Sequence, residues 1–174
     1  GFCSGQNLKA FDSLGDDIAA GVMKLYWPCF NALRTCRVPV VVAVNGVAAG
    51  AGANIALACD ITVAAASASF TQAFSKIGLI PDSGGTWTVP RLVGMQRAAA
   101  LMMLSDKISA GEAAEMGLIW KAYHDETFMA ESLALAETLA QMPTRGLALT
   151  KKALNRSFSN DFNTQLALED ELQS

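Results

Sequence analysis

Asp82 closes the run Ile77-Gly78-Leu79-Ile80-Pro81-Asp82, an apolar approach that raises the pKa of a carboxylate wherever the group is buried. A carboxyl poised in this way suits a general base, the alternative being a solvated turn aspartate. Two glycine-bearing turns, Gly5-Gln6 and Gly50-Ala51-Gly52, could each present a free backbone N–H. The second stands where a helix would begin, and the N–H groups of a first helical turn have no partner within the helix and favour developing negative charge. Two such donors aimed at one oxygen make an oxyanion hole, and losing one typically costs about 2.7–4 kcal/mol of transition-state stabilisation. Taken alone, these residues suggest general-base chemistry that needs neither histidine nor metal, and they leave other readings open.

Several competing chemistries fail on residue type. His124 is the sole histidine, so any mechanism that needs a pair is excluded. Cys3, Cys29, Cys36 and Cys59 lack C-x-x-C spacing and a nearby histidine, so no metal site is expected. Reduced thiols in a cytoplasmic protein are the simplest reading of them. Gly50-x-Gly52 after an apolar run invites a dinucleotide site, but Ile55 stands where the third glycine belongs, and Ala66–Ser75 supplies no acidic residue for a ribose. There is no G-K-[ST] phosphate loop. Pro81-Asp82-Ser83-Gly84-Gly85 resembles a serine-protease nucleophile string, yet that chemistry needs a histidine oriented by a carboxylate. Ser83 is better read as a turn or cap residue.

The elements that must carry these residues follow from periodicity. Ile18, Val22, Leu25, Tyr26 and Leu33 have helical spacing over Asp16–Cys36, with Pro28 expected to kink or divide the helix. Val38–Val44 is β-branched and continuous, which predicts a strand buried on both faces, closed by Asn45-Gly46. Gly50-Ala51-Gly52 leads into a helix through Ala58. Ile61–Ala65 is a second strand, and Phe70 begins a short extended piece. This order of strand, glycine turn, helix and strand predicts an α/β core with parallel pairing. Thr86–Val93 and Met95–Leu104 read as helices, Ser109 and Glu112 as a capping box, and Leu118–Tyr123 as a strand. Asp125 is expected to cap a helix carrying Phe128, Met129, Leu133, Leu135, Leu139 and Met142. Helices from Pro143 to about Phe158 and from Asp161 to Leu172 complete the chain.

Four separate blocks then share an order and spacing: Phe2-Cys3-Ser4-Gly5-Gln6-Asn7-Leu8, Pro39 through Gly52, Cys59-Asp60-Ile61, and Phe74 through Gly85. Together they resemble the crotonase (enoyl-CoA hydratase/isomerase) superfamily along essentially the whole chain. Within it, Ile77 through Trp87 looks closest to the branch that isomerises ring epoxides in phenylacetate catabolism. The resemblance implies an α/β fold with a ββα spiral core over residues 1–104, its N-terminal part missing. A helical C-terminal trimerisation region would occupy 105–174. It implies an acyl-CoA thioester as substrate, coenzyme A entering with it and no separate cofactor. A homotrimer or dimer of trimers is expected, with no nucleic-acid or membrane partner.

The family's two oxyanion amides fall on Gln6 and Ala51, within the turns of Gly5 and Gly50. A thioester carbonyl held by both becomes enolate-like, which acidifies the adjacent carbon. Hydratases of the family add water with two glutamates, and those positions here are Asn54 and Phe74. Neither transfers a proton, so simple hydration is disfavoured. Members that shift double bonds carry one carboxylate near Asp82, which is retained and suffices to take a proton from one carbon and return it to another. Asn54 could hold a water or substrate oxygen, or simply pack. Phe74, Trp27 and Trp87 could line an aromatic acyl pocket, and Lys9 is the candidate for a CoA phosphate. The expected activity is conversion of ring-1,2-epoxyphenylacetyl-CoA to its oxepin. Δ3/Δ2-enoyl-CoA isomerisation, general hydratase-family activity, and a catalytically silent partner subunit are the alternatives.

Bulk composition agrees with this reading. The 174 residues are 52% hydrophobic and 17% charged, with thirteen basic against sixteen acidic side chains and a net charge of −3. That excludes disorder and lacks the basic footprint of a nucleic-acid binder. Mean hydropathy is +0.29, high for a lone subunit. Val38–Cys59 is uncharged, but its glycines, Pro39, Asn45 and Asn54 argue against a membrane span. A core that expects an N-terminal layer and trimer neighbours accounts for the hydropathy.

Overall fold

The computed structural model of the chain describes residues 1–7 and 18–174, with the backbone alone at 18–23 and 25. Two short sheets and eight helices are built from the described residues. The first sheet has the order β1 (Val41–Val44), β3 (Ile61–Ala65), β6 (Lys121–Tyr123), all parallel. The second has the order β2 (Val47–Ala49), β4 (Ser69–Thr71), β5 (Ile108–Ser109), with β2 and β4 parallel and β5 antiparallel. A parallel bridge from Cys3 to Ala48 adds the N-terminal segment beside β2.

The Asn45-Gly46 turn therefore does more than close a strand. It carries the chain from β1 in one sheet to β2 in the other, and the apolar run expected to be one strand and a glycine loop feeds both sheets. Nor is β1 the doubly buried strand its sequence predicts. Among the described residues it pairs only with β3, and Val41–Ala43 are half-buried. The central β3, flanked on both sides, is the buried one, with Thr62–Ala65 all inside.

Helix α2 (Ala51–Leu57) follows β2 directly, and its Ala51, Gly52, Ala53, Asn54, Ala56 and Leu57 are buried. Small side chains are what let it lie this close to the strands. A Cβ on Gly52 would collide with the Cys3 carbonyl oxygen and stand 2.7 Å from Cys3 Cβ. Helix α3 (Gly85–Val93) packs against α2, and α4 (Met95–Leu104) against α3; their Val89, Val93 and Ala98 join the core. The core continues past residue 104: Ala110 and Ala113 of α5 (Ala110–Glu115), then Leu118, Ile119 and Phe128, share it with Val44, Val63 and Phe70. Burying a side chain the size of Phe70 contributes about 1.5–3 kcal/mol, and it is 2% exposed.

Helix α1 (Ile18–Thr35) runs through Pro28 without being divided; the proline removes one intrahelical N–H bond. The capping box at Ser109 and Glu112 forms as expected. Asp125 does not cap α6 (Phe128–Gln141). Its Oδ1 accepts from the Ser67 N–H at 3.0 Å, fastening the end of β3 to the end of β6 instead. Asp161 does cap α8 (Phe162–Gln173), accepting from Thr164 N–H at 2.8 Å. Helix α7 (Thr144–Ser157) is tied inward by Lys151, whose Nζ is 2.7 Å from Asp60 Oδ2 and donates to Leu33 O at 2.7 Å. No helix among the described residues is long and apolar enough to cross a membrane.

Candidate functional site

The two glycine turns expected to hold the oxyanion donors meet in space. Gly5 has φ +87°, and a Cβ on it would stand 2.9 Å from Ala49 O and 3.3 Å from the Ala51 nitrogen. The backbone of one turn thus lies directly on the other. Gly50 has φ +55°, a conformation glycine adopts without strain. It donates its N–H to Thr71 O at 2.9 Å and accepts from Asn54 N at 3.1 Å, so the turn is anchored at both ends. Ala51, as the first residue of α2, has an N–H with no acceptor inside the helix. The Gln6 N–H likewise makes no backbone–backbone hydrogen bond among the described residues. Two donors left over by the backbone on contiguous turns are what an oxyanion requires.

Asp82 is brought to the same region by a clamp that its sequence position did not reveal. Asn54 is 1% exposed. Its Nδ2 donates to the Asp82 carbonyl at 2.9 Å, while its Oδ1 accepts from Gln72 Nε2 at 3.0 Å. The Asp82 carbonyl also accepts from the Gly85 N–H at 2.9 Å, which turns the loop into α3. Asn54 thus bridges Gln72 and the Asp82 carbonyl, with each end of its amide bonded and the side chain sealed from solvent. Asp82 Oδ1 is buried without a hydrogen-bond partner, as is the hydroxyl of Ser83, which takes φ +53°. No described protein group occupies that oxygen, so it is available to a bound molecule.

Phe74 is buried and lies beside the Gly50 turn. Ala73, a non-glycine residue at φ +48°, turns the chain so that the Phe74 ring lies 3.6 Å from where a Gly50 Cβ would be. The other aromatic candidates lie elsewhere. Trp87 is stacked between Arg34 and Arg91, whose guanidinium carbons are 4.4 and 4.1 Å from its ring centre, and it meets Phe158 edge-on. The ring is held by cation–π packing and stays partly exposed. Trp27 is 63% exposed. Lys9 lies outside the described residues. A cleft of about 510 Å³ between α7 and α8 is lined by Leu149, Leu154, Gln165 and Leu172, and Asp82 is not part of its wall.

Tyr26 is the residue that periodicity concealed. Its helical spacing reads as part of an apolar stripe, but its hydroxyl donates to Gln6 Oε1 at 2.6 Å. Burial raises its pKa, and the negative charges of Cys3 and Asp82 when ionised raise it further. The signal in the sequence is slight: tyrosine is the polar member of an otherwise aliphatic stripe.

A family model described as enoyl-CoA hydratase/isomerase matches residues 1–174. Over 172 residues, 99% of this chain and 67% of the relative, the sequence is 49% identical to a probable enoyl-CoA hydratase of Rhodobacter capsulatus. It is 48% identical to the 1,2-epoxyphenylacetyl-CoA isomerase of Escherichia coli K12, covering 99% of this chain and 68% of that protein. The solved structure of an enoyl-CoA hydratase from Bacillus anthracis superposes with a TM-score of 0.94 at 30% identity, over 99% of this chain and 67% of that one. The chain thus spans about two thirds of the length of these relatives. The likeness bears out the α/β, crotonase-like architecture expected from the sequence.

Proposed function

We propose that this chain, which belongs to the enoyl-CoA hydratase/isomerase family, is an isomerase of acyl-CoA thioesters with Asp82 as its proton carrier. The observation that carries the reading is the contrast between three positions. Those that resemble the hydratase glutamates hold Asn54, locked between Gln72 and Asp82, and Phe74, an apolar ring. Beside them Asp82 keeps a buried, unpartnered carboxylate oxygen. A site with one proton-transferring group cannot divide the work of water addition between an acid and a base. It can take a proton and give it back.

The Gln6 and Ala51 N–H groups accept the role of oxyanion donors to the thioester carbonyl. Charge moving onto that oxygen acidifies the neighbouring carbon, whose proton passes to the Asp82 carboxylate. The electron pair left behind reorganises the acyl group, and the Asp82 carboxyl returns the proton to a different carbon. No atom is gained or lost and the carboxylate is regenerated. Coenzyme A enters and leaves as part of the substrate.

For the acyl group, ring-1,2-epoxyphenylacetyl-CoA is the preferred substrate, its product the seven-membered oxepin thioester. The likeness to the Escherichia coli isomerase supports this choice, and the buried Phe74 ring beside the Gly50 turn supplies an aromatic wall. Asp82→Asn, assayed with this thioester and with a Δ3-enoyl-CoA, is expected to lower turnover by about 10²–10⁴, the usual worth of a positioned base. Near-normal turnover would remove Asp82 from the mechanism. Weak thioester binding by the unaltered chain, with no turnover on either substrate, would favour a silent partner subunit.

A further inference from the structure

Between Ser4 and Gln6 the segment makes fewer backbone–backbone hydrogen bonds among the described residues than the turn that carries Ala51. It is joined to the sheet at Cys3, whose N–H donates to Val47 O and whose carbonyl accepts from Ala49 N–H at 2.9 Å. From Ser4 to Gln6 no further backbone–backbone bond forms among the described residues. The Gly5 contact limits how close that turn approaches Ala51, but a van der Waals contact does not fix the direction of the next N–H. The Tyr26 hydroxyl, which donates to Gln6 Oε1 at 2.6 Å, holds the side chain of that residue to α1.

We propose that Tyr26 is a positioning residue for the first oxyanion donor: by gripping the Gln6 side chain it sets the direction of the Gln6 N–H. The inference rests on the isomerase reading and deepens it. The bond joins α1 to the catalytic turn across 20 positions of sequence, so the helix is a brace for the site as well as packing. The tyrosine is suited to the task because it stays protonated, its pKa raised by burial and by the neighbouring Cys3 and Asp82. It therefore remains a hydrogen-bond donor near neutral pH.

The test reads the donors without turnover. The ultraviolet absorption of a conjugated thioester such as 2,4-hexadienoyl-CoA moves to longer wavelength when its carbonyl is polarised by hydrogen bonds. Binding to the unaltered protein is expected to produce that shift; binding without it overturns the inference together with the oxyanion assignment. Tyr26→Phe and Gln6→Met, which keeps the backbone N–H, are each expected to lose most of the shift, and the double variant to lose no more. With the isomerisation substrate, both should lower kcat by about ten- to a hundredfold, the scale of a misaimed group, with KM nearly unchanged. Far-ultraviolet circular dichroism of the variants should match the parent. A full shift in Tyr26→Phe, or losses in kcat that multiply in the double variant, overturns the inference. Asp82→Asn is expected to keep the shift while losing turnover, so failure of the base shows separately from failure of the tether.

Discussion

Replacing Gly85 by alanine sets two effects of opposite sign against each other. Gly85 opens α3 and is buried. On helix propensity alone, alanine is favoured by up to about 1 kcal/mol, less at a first helical position. Against that, the added Cβ would collide with Asn54 Nδ2 and stand 2.8 Å from its Cγ and 2.9 Å from its Oδ1. The Asn54 amide cannot swing aside without breaking its bonds to Asp82 O and Gln72 Nε2. The Asp82 carbonyl would keep its bond from Gly85 N–H, but Gln72, 5% exposed, would be left with an unpaired donor. Overpacking costs about 1–3 kcal/mol and an unpaired buried group about 1–3 kcal/mol, so the collision outweighs propensity. The expected net loss is about 2 kcal/mol in urea unfolding followed by circular dichroism at fixed protein concentration. A double-mutant cycle identifies the cause. In an Asn54→Ala background the collision partner is gone, so Gly85→Ala should there be nearly neutral, a coupling of about 2 kcal/mol. Equal cost in both backgrounds, or a Gly85→Ala chain as stable as the parent, would refute the reasoning.

Lys151→Met should cost about 2–4 kcal/mol of unfolding free energy, somewhat below the figure for a fully enclosed pair because Asp60 keeps 27% of its side chain in solvent; no change in the urea midpoint would contradict it. Burial pushes the Cys59 thiol up to about 11, so alkylation at mild alkaline pH followed by mass mapping should find exposed Cys29 modified well before Cys59. The same shift has a thermodynamic side. The unfolded Cys59 ionises first, so the chain should lose stability as pH rises towards 11, and Cys59→Ala should flatten that alkaline slope. Hydrogen bonds from the Ser109 side chain and backbone hold Glu112 below the ordinary glutamate range. The cap's contribution is therefore complete near neutrality and lost as pH falls through that lowered value. A nuclear magnetic resonance titration should show Glu112 returning to the ordinary range in Ser109→Ala.

Features encoded by neighbouring residues are legible in the amino-acid sequence. The capping box at Ser109 and Glu112, the glycine turn into α2 and the parallel pairing of β1 with β3 all depend on local spacing. So does Asp82 after its apolar approach. Features that depend on distant partners are not legible in this way. β5 has two residues and β6 three, too few to show a period. The Asn54 amide reads as a polar residue in a small-residue helix, because Gln72 and Asp82, which grip it from either side, stand 18 and 28 positions away. Asp125 has the type and place of a cap, yet the Ser67 N–H competes for it successfully. Asp60 and Lys151 lie 91 positions apart, and nothing local to either announces the other.

The contact between the Gly5 and Gly50 turns has a consequence for how such a chain can diversify. Because Gly5 rests on Ala49 and Ala51, and Gly52 on Cys3, neither turn can shift or gain a side chain without displacing the other. On the isomerase reading proposed above, the grip on the thioester carbonyl is thereby inherited as one indivisible piece, closed to gradual change. Novelty is left to the residues that face the acyl group and to the loop that delivers the carboxylate. A lineage built on this arrangement can explore new acyl chemistries by single substitutions there while the carbonyl anchor stays as it was.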